Sequence, residues 1–312
     1  MGVMIEGRYH VNDPAPQTDA AGTFQRSRST LRDWVEPAGQ FAPEPGRYHL
    51  YVAWNCPWAH RTLIGRAMLG LEDAISVSYA RPTRNDQGWV YDHDPCLGVS
   101  ALHEVYALQP TPYTGRVTVP VLWDIQTRQI VSNESADILR MLLTAFDQDR
   151  RYCPEALLPE IDRWNAEIYA QVNNGVYRAG FARTQEAYDG AVVDVFAALD
   201  RLEAHLEQNA TLTGYTLTEA DFRLFPTLAR FDVAYNTAFK CNLRRLQDYP
   251  QLWDYARAFY AIPGISETVD FDTYKRGYFS RSDLRNPLGI VPAGPVVDWS
   301  GPTKRQFQRL SL

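Results

Sequence analysis

The chain has 312 residues, enough for one large domain or two modest ones, and its hydrophobic content of 45% is ordinary for a globular protein. A formal net charge of -6 is spread along the sequence, with no basic stretch that suggests nucleic acid or anionic lipid as a partner. Apolar runs are broken by charge or proline well before the roughly 18 residues a membrane span needs, and the N-terminal MGVMIEGRYHVNDPAPQ has no apolar signal core, so a soluble, cytoplasmic chain is expected.

Residues 1–46 read as an arm: from residue 8 they are rich in Pro, Gly, Asp, Arg and Ser without a sustained period, and they wrap over a domain rather than form one. The fold proper opens with YHLYVAWN from Tyr48, aromatic and β-prone, which runs into Pro57, a residue suited to the first turn of a helix. Leu63, Ile64, Ala67, Met68 and Leu71 then recur at helical spacing until Gly70 can close the helix, and AISVSY resumes as a strand. After a polar, irregular stretch from Arg81 to Arg116, VTVPVLWD reads as a strand, RQIVS as its hairpin partner and NESADILRMLLTAF as a helix. Residues 47–147 thus form a β-α-β unit followed by β-β-α, a small α/β domain.

Residues 158–312 change character. PEIDRWNAEIYAQVNNGVY, AYDGAVVDVFAALDRLEAHLEQ, LTEADFRLFPTLARFDVAYNTAF and YPQLWDYARAFYAIPG are helical in period, so an all-helical domain is expected, ending in an aromatic, basic and non-periodic tail after Gly264. Thr218 and Asp221 in LTEAD fit a capping box at a helix start.

Cys56, in AWNCPWAH, is the residue that points to chemistry. A thiol just ahead of a helix faces unpaired backbone N–H groups and the positive end of the helix dipole, which favour thiolate over a thiol of ordinary pKa near roughly 8.5. His60 and Arg61 add positive charge one turn on. A dithiol mechanism would need a second cysteine three residues later, where this chain has Ala59, so what remains is monothiol exchange through a mixed disulfide that an external thiol resolves. Cys96, Cys153 and Cys241 lack such a setting and read as structural; the wide spacing of the four cysteines favours a reducing compartment, and the six histidines show no ligand spacing, so no metal is expected.

Two further places bear on that thiol. A cis-proline is expected at Pro120 in VTVPVLWD, because a thiol at a β-α junction combined with this proline is similar to the thioredoxin-like fold, where the backbone of the preceding residue, here Val119, pairs with an extended peptide-like substrate. Glu134 and Ser135 in NESADI open a helix; they serve as caps, or as a site where the carboxylate of glutathione meets the helix N-terminus and its ammonium meets Glu134.

The strings GRYHLYVAWNCPWAHRTLIGRAMLGLED, GWVYD, RVTVPVLWD, NESADILRML, NNGVYRAGFA, LTEADFRLFPTLARFD and NPLGIVPAGP, in that order from about residue 25 to 295, resemble the glutathionyl-hydroquinone reductases, the Xi class of the glutathione transferases. The resemblance implies a thioredoxin-like α/β domain followed by the all-α C-terminal domain of a glutathione transferase. It also implies that an S-glutathionylated hydroquinone is reduced with a second glutathione, Cys56 being the nucleophile. By the same resemblance Trp89 lies over the glutathione, although a tryptophan there also suits anchoring its loop; Arg116, Val119, Pro120, Glu134 and Ser135 complete that site. Tyr177 and Tyr278 act on the hydroquinone hydroxyls, Tyr169 is a third candidate on the ring, and a homodimer is expected. In KRGYFS, Gly277 and Phe279 stand where the family pattern has a bulkier residue and a second tyrosine, which leaves substrate range less closely specified.

Two other readings compete. An omega-like thioltransferase or dehydroascorbate reductase would use the same Cys56 but would need neither the long insertion from Arg81 to Arg116 nor the extended tail. A non-catalytic glutathione-binding scaffold would have no use for a thiol at a helix start.

Overall fold

The computed structural model describes residues 2–13 and 17–307, so residues 1 and 14–16 of the expected arm and 308–312 of the tail lie outside the described residues. The chain clusters into two compact units, Met1–Pro16 with Ser27–Gln148, and Gln17–Arg26 with Asp149–Leu312. Residues 17–26 of the expected arm therefore group with the helical unit and its flanks with the other. No helix among the described residues is long and apolar enough to cross a membrane.

Along the first unit the elements run β1 (Val3–Ile5), β2 (Arg8–His10), β3 (Tyr48–Ala53), α1 (Pro57–Met68), β4 (Ile75–Ala80), α2 (Leu102–Ala107), β5 (Gly115–Arg116), β6 (Val121–Asp124), β7 (Gln129–Ser132) and α3 (Ser135–Ala145). The main sheet has the order β4-β3-β6-β7, with β3 parallel to β4 and antiparallel to β6, and β6 antiparallel to β7. This is the expected thioredoxin-like arrangement. Every residue of β3 is buried, the behaviour of a central strand covered on both faces. Helix α1 ends at Met68 with Leu69 as its C-cap, and Gly70 stands just beyond at φ +64°. The helix packs against α3 closely enough that a Cβ on Gly65 would stand 2.7 Å from Leu139 Cδ1.

Three stretches expected to be irregular carry elements. Strands β1 and β2 pair with each other, and β1 pairs with β5, in a second three-stranded sheet; strands of two or three residues are too short to show alternation. The insertion from Arg81 to Arg116 contains α2, whose start is fixed by Glu104 Oε1 accepting from the Ala101 N–H at 3.0 Å.

Under the main sheet, His49 on β3 meets Ser76 Oγ through Nδ1 at 2.6 Å and Ser78 Oγ through Nε2 at 2.9 Å, and Ser78 Oγ donates to Asp94 Oδ1 at 2.6 Å. Asp94 also accepts the N–H groups of Cys96, Leu97 and Val99, tying that loop to the sheet. Burial pushes the His49 imidazole down to about 4 against the opposing pull of Asp94. The unfolded chain, with an ordinary His near 6.5, therefore takes up a proton that the folded chain refuses. Stability is full above pH 6.5 and lost as pH falls toward 4, by about 3 kcal/mol. Denaturant unfolding measured across that window should show this loss, and His49→Gln should remove it.

The second unit contains α4 (Leu158–Glu167), a π-helical turn Ile168–Asn173, α5 (Gly175–Phe181), α6 (Gln185–Gln208), α7 (Glu219–Arg230), a second π-helical turn Phe231–Tyr235, α8 (Asn236–Ala238), α9 (Pro250–Tyr260) and α10 (Phe271–Tyr278). Its described residues form no sheet. The capping box is present: Asp221 Oδ2 accepts the Thr218 N–H at 2.8 Å, while Oδ1 accepts the Tyr255 hydroxyl at 2.8 Å. The tail expected to be non-periodic holds α10, opened by Asp270, whose carboxylate accepts from the Thr273 N–H at 2.9 Å.

Candidate active site

In the first unit the site is built on two helix starts and one strand entrance. Cys56 is the N-cap of α1, in extended backbone with no side-chain cap bond, and Pro57 occupies the first helical position. Its Sγ lies 3.7 Å from the carbonyl oxygen of Val119, and the Val119–Pro120 peptide bond is cis. Half-buried Cys56 thus combines access with the positive potential of a helix N-terminus. One turn along α1, the buried Arg61 guanidinium lies 4.5 Å over the Trp58 ring, and its Nη1 donates to Ser135 Oγ at 3.4 Å. A fixed cation therefore joins the helix that carries the thiol to the start of α3.

At that second start Glu134 is the N-cap, its Oε1 accepting the Ala136 N–H at 3.1 Å and the Ser135 hydroxyl at 3.5 Å. The capping role is thus present in the structure, and it leaves a carboxylate and a hydroxyl together at a helix N-terminus. Trp89 is only 8% exposed and belongs to the core of the unit, with Arg84 5.0 Å over its ring; the loop-anchoring role is the one this burial displays. Arg116 on β5 donates through Nε to Asp13 Oδ2, both side chains nearly buried, so its charge is matched by the arm.

The second unit gathers tyrosines. Tyr278, at the end of α10, shares its hydroxyl with Tyr177 on α5 at 2.8 Å and with Tyr235 at 3.0 Å. Tyr235 ends the π-helical turn after α7, where the changed pitch re-aims a side chain. Burial, then the neighbouring phenols, push Tyr278 well above the ordinary tyrosine range, and burial does the same for Tyr235. Both stay protonated at neutral pH, so each keeps a proton to donate. Phe181 and Phe239 pack on Tyr177, with ring centroids 6.0 and 5.2 Å away. Gly180 makes this packing feasible, since a Cβ there would stand 2.2 Å from the Phe239 ring. Tyr169, in the first π-helical turn, is 43% exposed.

The other cysteines have the environment of packing residues. Cys153 and Cys241 are buried, and burial pushes the Cys241 thiol up to about 12; burial also raises Cys96. Among the described residues no group of three or more His, Cys, Asp or Glu side chains is placed to hold a metal ion.

The glutathione S-transferase N-terminal domain family matches residues 55–145, and its C-terminal domain family matches residues 185–258. The glutathionyl-hydroquinone reductase YqjG of Escherichia coli is 47% identical, over 99% of this chain and 99% of its own. The glutathionyl-hydroquinone reductase PcpF of Sphingobium chlorophenolicum is 44% identical, over 97% of this chain and 99% of its own. The chain belongs to the glutathionyl-hydroquinone reductases, the Xi class of the glutathione transferases. It is an enzyme, in a family whose solved structures align along the chain. The Xi-class transferase of Natrialba magadii covers 98% of this chain and 96% of its own with a TM-score of 0.90 at 41% identity. The glutathione-bound structure of the E. coli protein covers 88% and 96% with a TM-score of 0.85 at 47% identity.

In this Xi-class enzyme two buried tyrosines, each bonded to a candidate residue or to a segment that leads into one, carry no signal in the sequence. Tyr235 sits inside ARFDVAYNTAF, where it reads as one more apolar position of a helix. Tyr106, on α2, donates to the Thr118 carbonyl at 2.9 Å and accepts from Asn133 Nδ2 at 3.1 Å. One buried phenol thereby ties the segment entering Val119 to the segment entering Glu134, and no short motif announces such a long-range link.

Proposed function

We propose that this enzyme reduces S-glutathionyl-hydroquinones to free hydroquinones at the expense of glutathione, through a mixed disulfide on Cys56. The observation that carries the reading is the lone thiol at the α1 N-cap, 3.7 Å from the carbonyl of Val119, with Ala59 where a resolving cysteine would stand. The Cys56 thiolate attacks the glutathionyl sulfur, the carbon–sulfur bond breaks, and its electron pair leaves with the ring as an enolate that is protonated to the hydroquinone. A second glutathione thiolate then attacks the mixed disulfide, releasing oxidised glutathione and restoring the Cys56 thiolate. The hydrogen gained by the ring is balanced by the one lost from glutathione.

Glutathione is the co-substrate, and in this reading its extended backbone pairs with Val119 beside Pro120 while its α-carboxylate and ammonium meet Ser135 and Glu134. Trp89 supports that ligand from its anchored loop, and Arg116, paired with Asp13, is a neighbouring group of the same site. Aromatic carbon is a poor leaving group, so the ring needs donors on its oxygens that hold the keto tautomer and receive the developing negative charge. Tyr177 and Tyr278, with Tyr235 behind them, take this role, and Tyr169 lines the ring site. The enzyme works in the cytoplasm as a homodimer.

A steady-state comparison tests the reading. Purified enzyme should release free hydroquinone from an S-glutathionyl-hydroquinone in the presence of glutathione; an enzyme that only reduces glutathione mixed disulfides would instead be an omega-like thioltransferase.

A further inference from the structure

Residues 17–26 form a short tie onto the corner between α5 and α6. Asp19 Oδ1 closes a turn by accepting the N–H groups of Ala21 and Thr23 at 3.0 and 2.9 Å. The Arg183 N–H donates to the Gly22 carbonyl at 2.9 Å and the Thr184 hydroxyl donates to that of Ala21 at 2.9 Å. Phe24 packs on Phe181 with centroids 5.2 Å apart. The tie ends in Arg26, whose Nε donates to Asn174 Oδ1 at 2.7 Å and whose guanidinium carbon sits 4.6 Å over the ring of Tyr177.

We propose that Arg26 is a positioning residue for the ring-releasing step, its guanidinium laid on Tyr177 so that this phenol is held in the hydroxyl chain and donates more strongly to the departing ring. The proposal rests on the assignment of Tyr177 to the hydroquinone hydroxyls. A phenol that donates a hydrogen bond to a developing oxyanion gains negative charge on its own oxygen and ring. A cation over the ring face stabilises that charge, and more so away from bulk water. The bond to Asn174, three residues before Tyr177 on the same backbone, fixes where the cation lies. Residues 17–26 thereby gain a function that packing alone would not give them: they carry a charge to a tyrosine of the reaction.

Packing and polarisation predict different outcomes for two substitutions, measured on the full chain with two substrates. With an S-glutathionyl-hydroquinone, Arg26→Met should lower kcat/KM about tenfold, whereas reduction of the mixed disulfide of cysteine and glutathione, which has no ring to release, should be unchanged. Arg26→Lys keeps a cation whose ammonium can still donate to Asn174 Oδ1, and it should recover most of the hydroquinone activity. Equal loss in Arg26→Met and Arg26→Lys would overturn the proposal, because a retained cation would then not restore the step. Parallel loss on both substrates would reduce the residue to a fold contact, and no loss in Arg26→Met would remove it from the reaction. Tyr177→Phe, assayed alongside, separates the two layers. If it impairs ring release while Arg26→Met does not, only the Arg26 inference fails; if Tyr177→Phe is also silent, the assignment of Tyr177 fails with it.

Discussion

Replacing Cys56 by Ala should lower hydroquinone release by at least about 10³-fold, because it deletes the atom that forms the covalent intermediate. Glutathione affinity should survive. The groups assigned to that ligand are the backbone beside cis-Pro120 and the start of α3, and the latter is held by the Glu134 cap, the Ser135 hydroxyl and Arg61 rather than by the thiol. Cys56 also makes no cap bond to α1, so the substitution leaves that helix start intact. Isothermal titration with glutathione, beside a turnover assay, checks both halves. Turnover retained in Cys56→Ala would remove the covalent step, and lost binding would mean that the thiol itself holds the ligand.

Tyr278→Phe should be the second most damaging change. Its hydroxyl is the middle of the chain, bonded to Tyr177 at 2.8 Å and to Tyr235 at 3.0 Å, so the substitution leaves both neighbours without that partner. Loss of one preorganised donor to a developing oxyanion costs on the order of 10²–10³ in rate. Hydroquinone release should fall by that factor while reduction of a glutathione mixed disulfide is preserved. The broken bonds should also cost about 1–3 kcal/mol of stability, read separately from denaturant unfolding. Equal loss on both substrates would assign Tyr278 to the fold rather than to the ring. Because burial holds Tyr278 and Tyr235 above the ordinary tyrosine range, the chain stays a donor network throughout the neutral and mildly alkaline range.

What was readable in advance was local. A strand meeting proline, a helix ending at glycine and the Thr218–Asp221 box each depend on a few adjacent residues, and each is present in the structure; the cis bond before Pro120, also present, follows instead from the fold that Cys56 and Pro120 together resemble. Long-range pairings were the part that escaped. Strand β1 pairs with β5 more than a hundred residues away, Tyr106 joins segments entering Val119 and Glu134, and Arg26 finds Tyr177. None of these partners leaves a period or spacing in the chain. Helix α2 spans six residues, too few for a 3.6-residue repeat to stand out. The same holds for the candidate residues. Cys56, Glu134 and Ser135 stand out as candidates because a helix start advertises itself. Tyr235 was hidden because a π-helical turn redirects a residue whose sequence context reads as packing.

In the proposed reaction Cys56 takes the glutathionyl group from the ring before any second glutathione acts. Mixing the enzyme with an S-glutathionyl-hydroquinone in the absence of free glutathione tests it directly, by quantifying released hydroquinone and recording the intact mass of the protein. One hydroquinone per active site should be released, with a single glutathionyl adduct that maps to Cys56 and disappears when glutathione is added. Hydroquinone that appears only once free glutathione is supplied, with no adduct on Cys56 at any time, would contradict it.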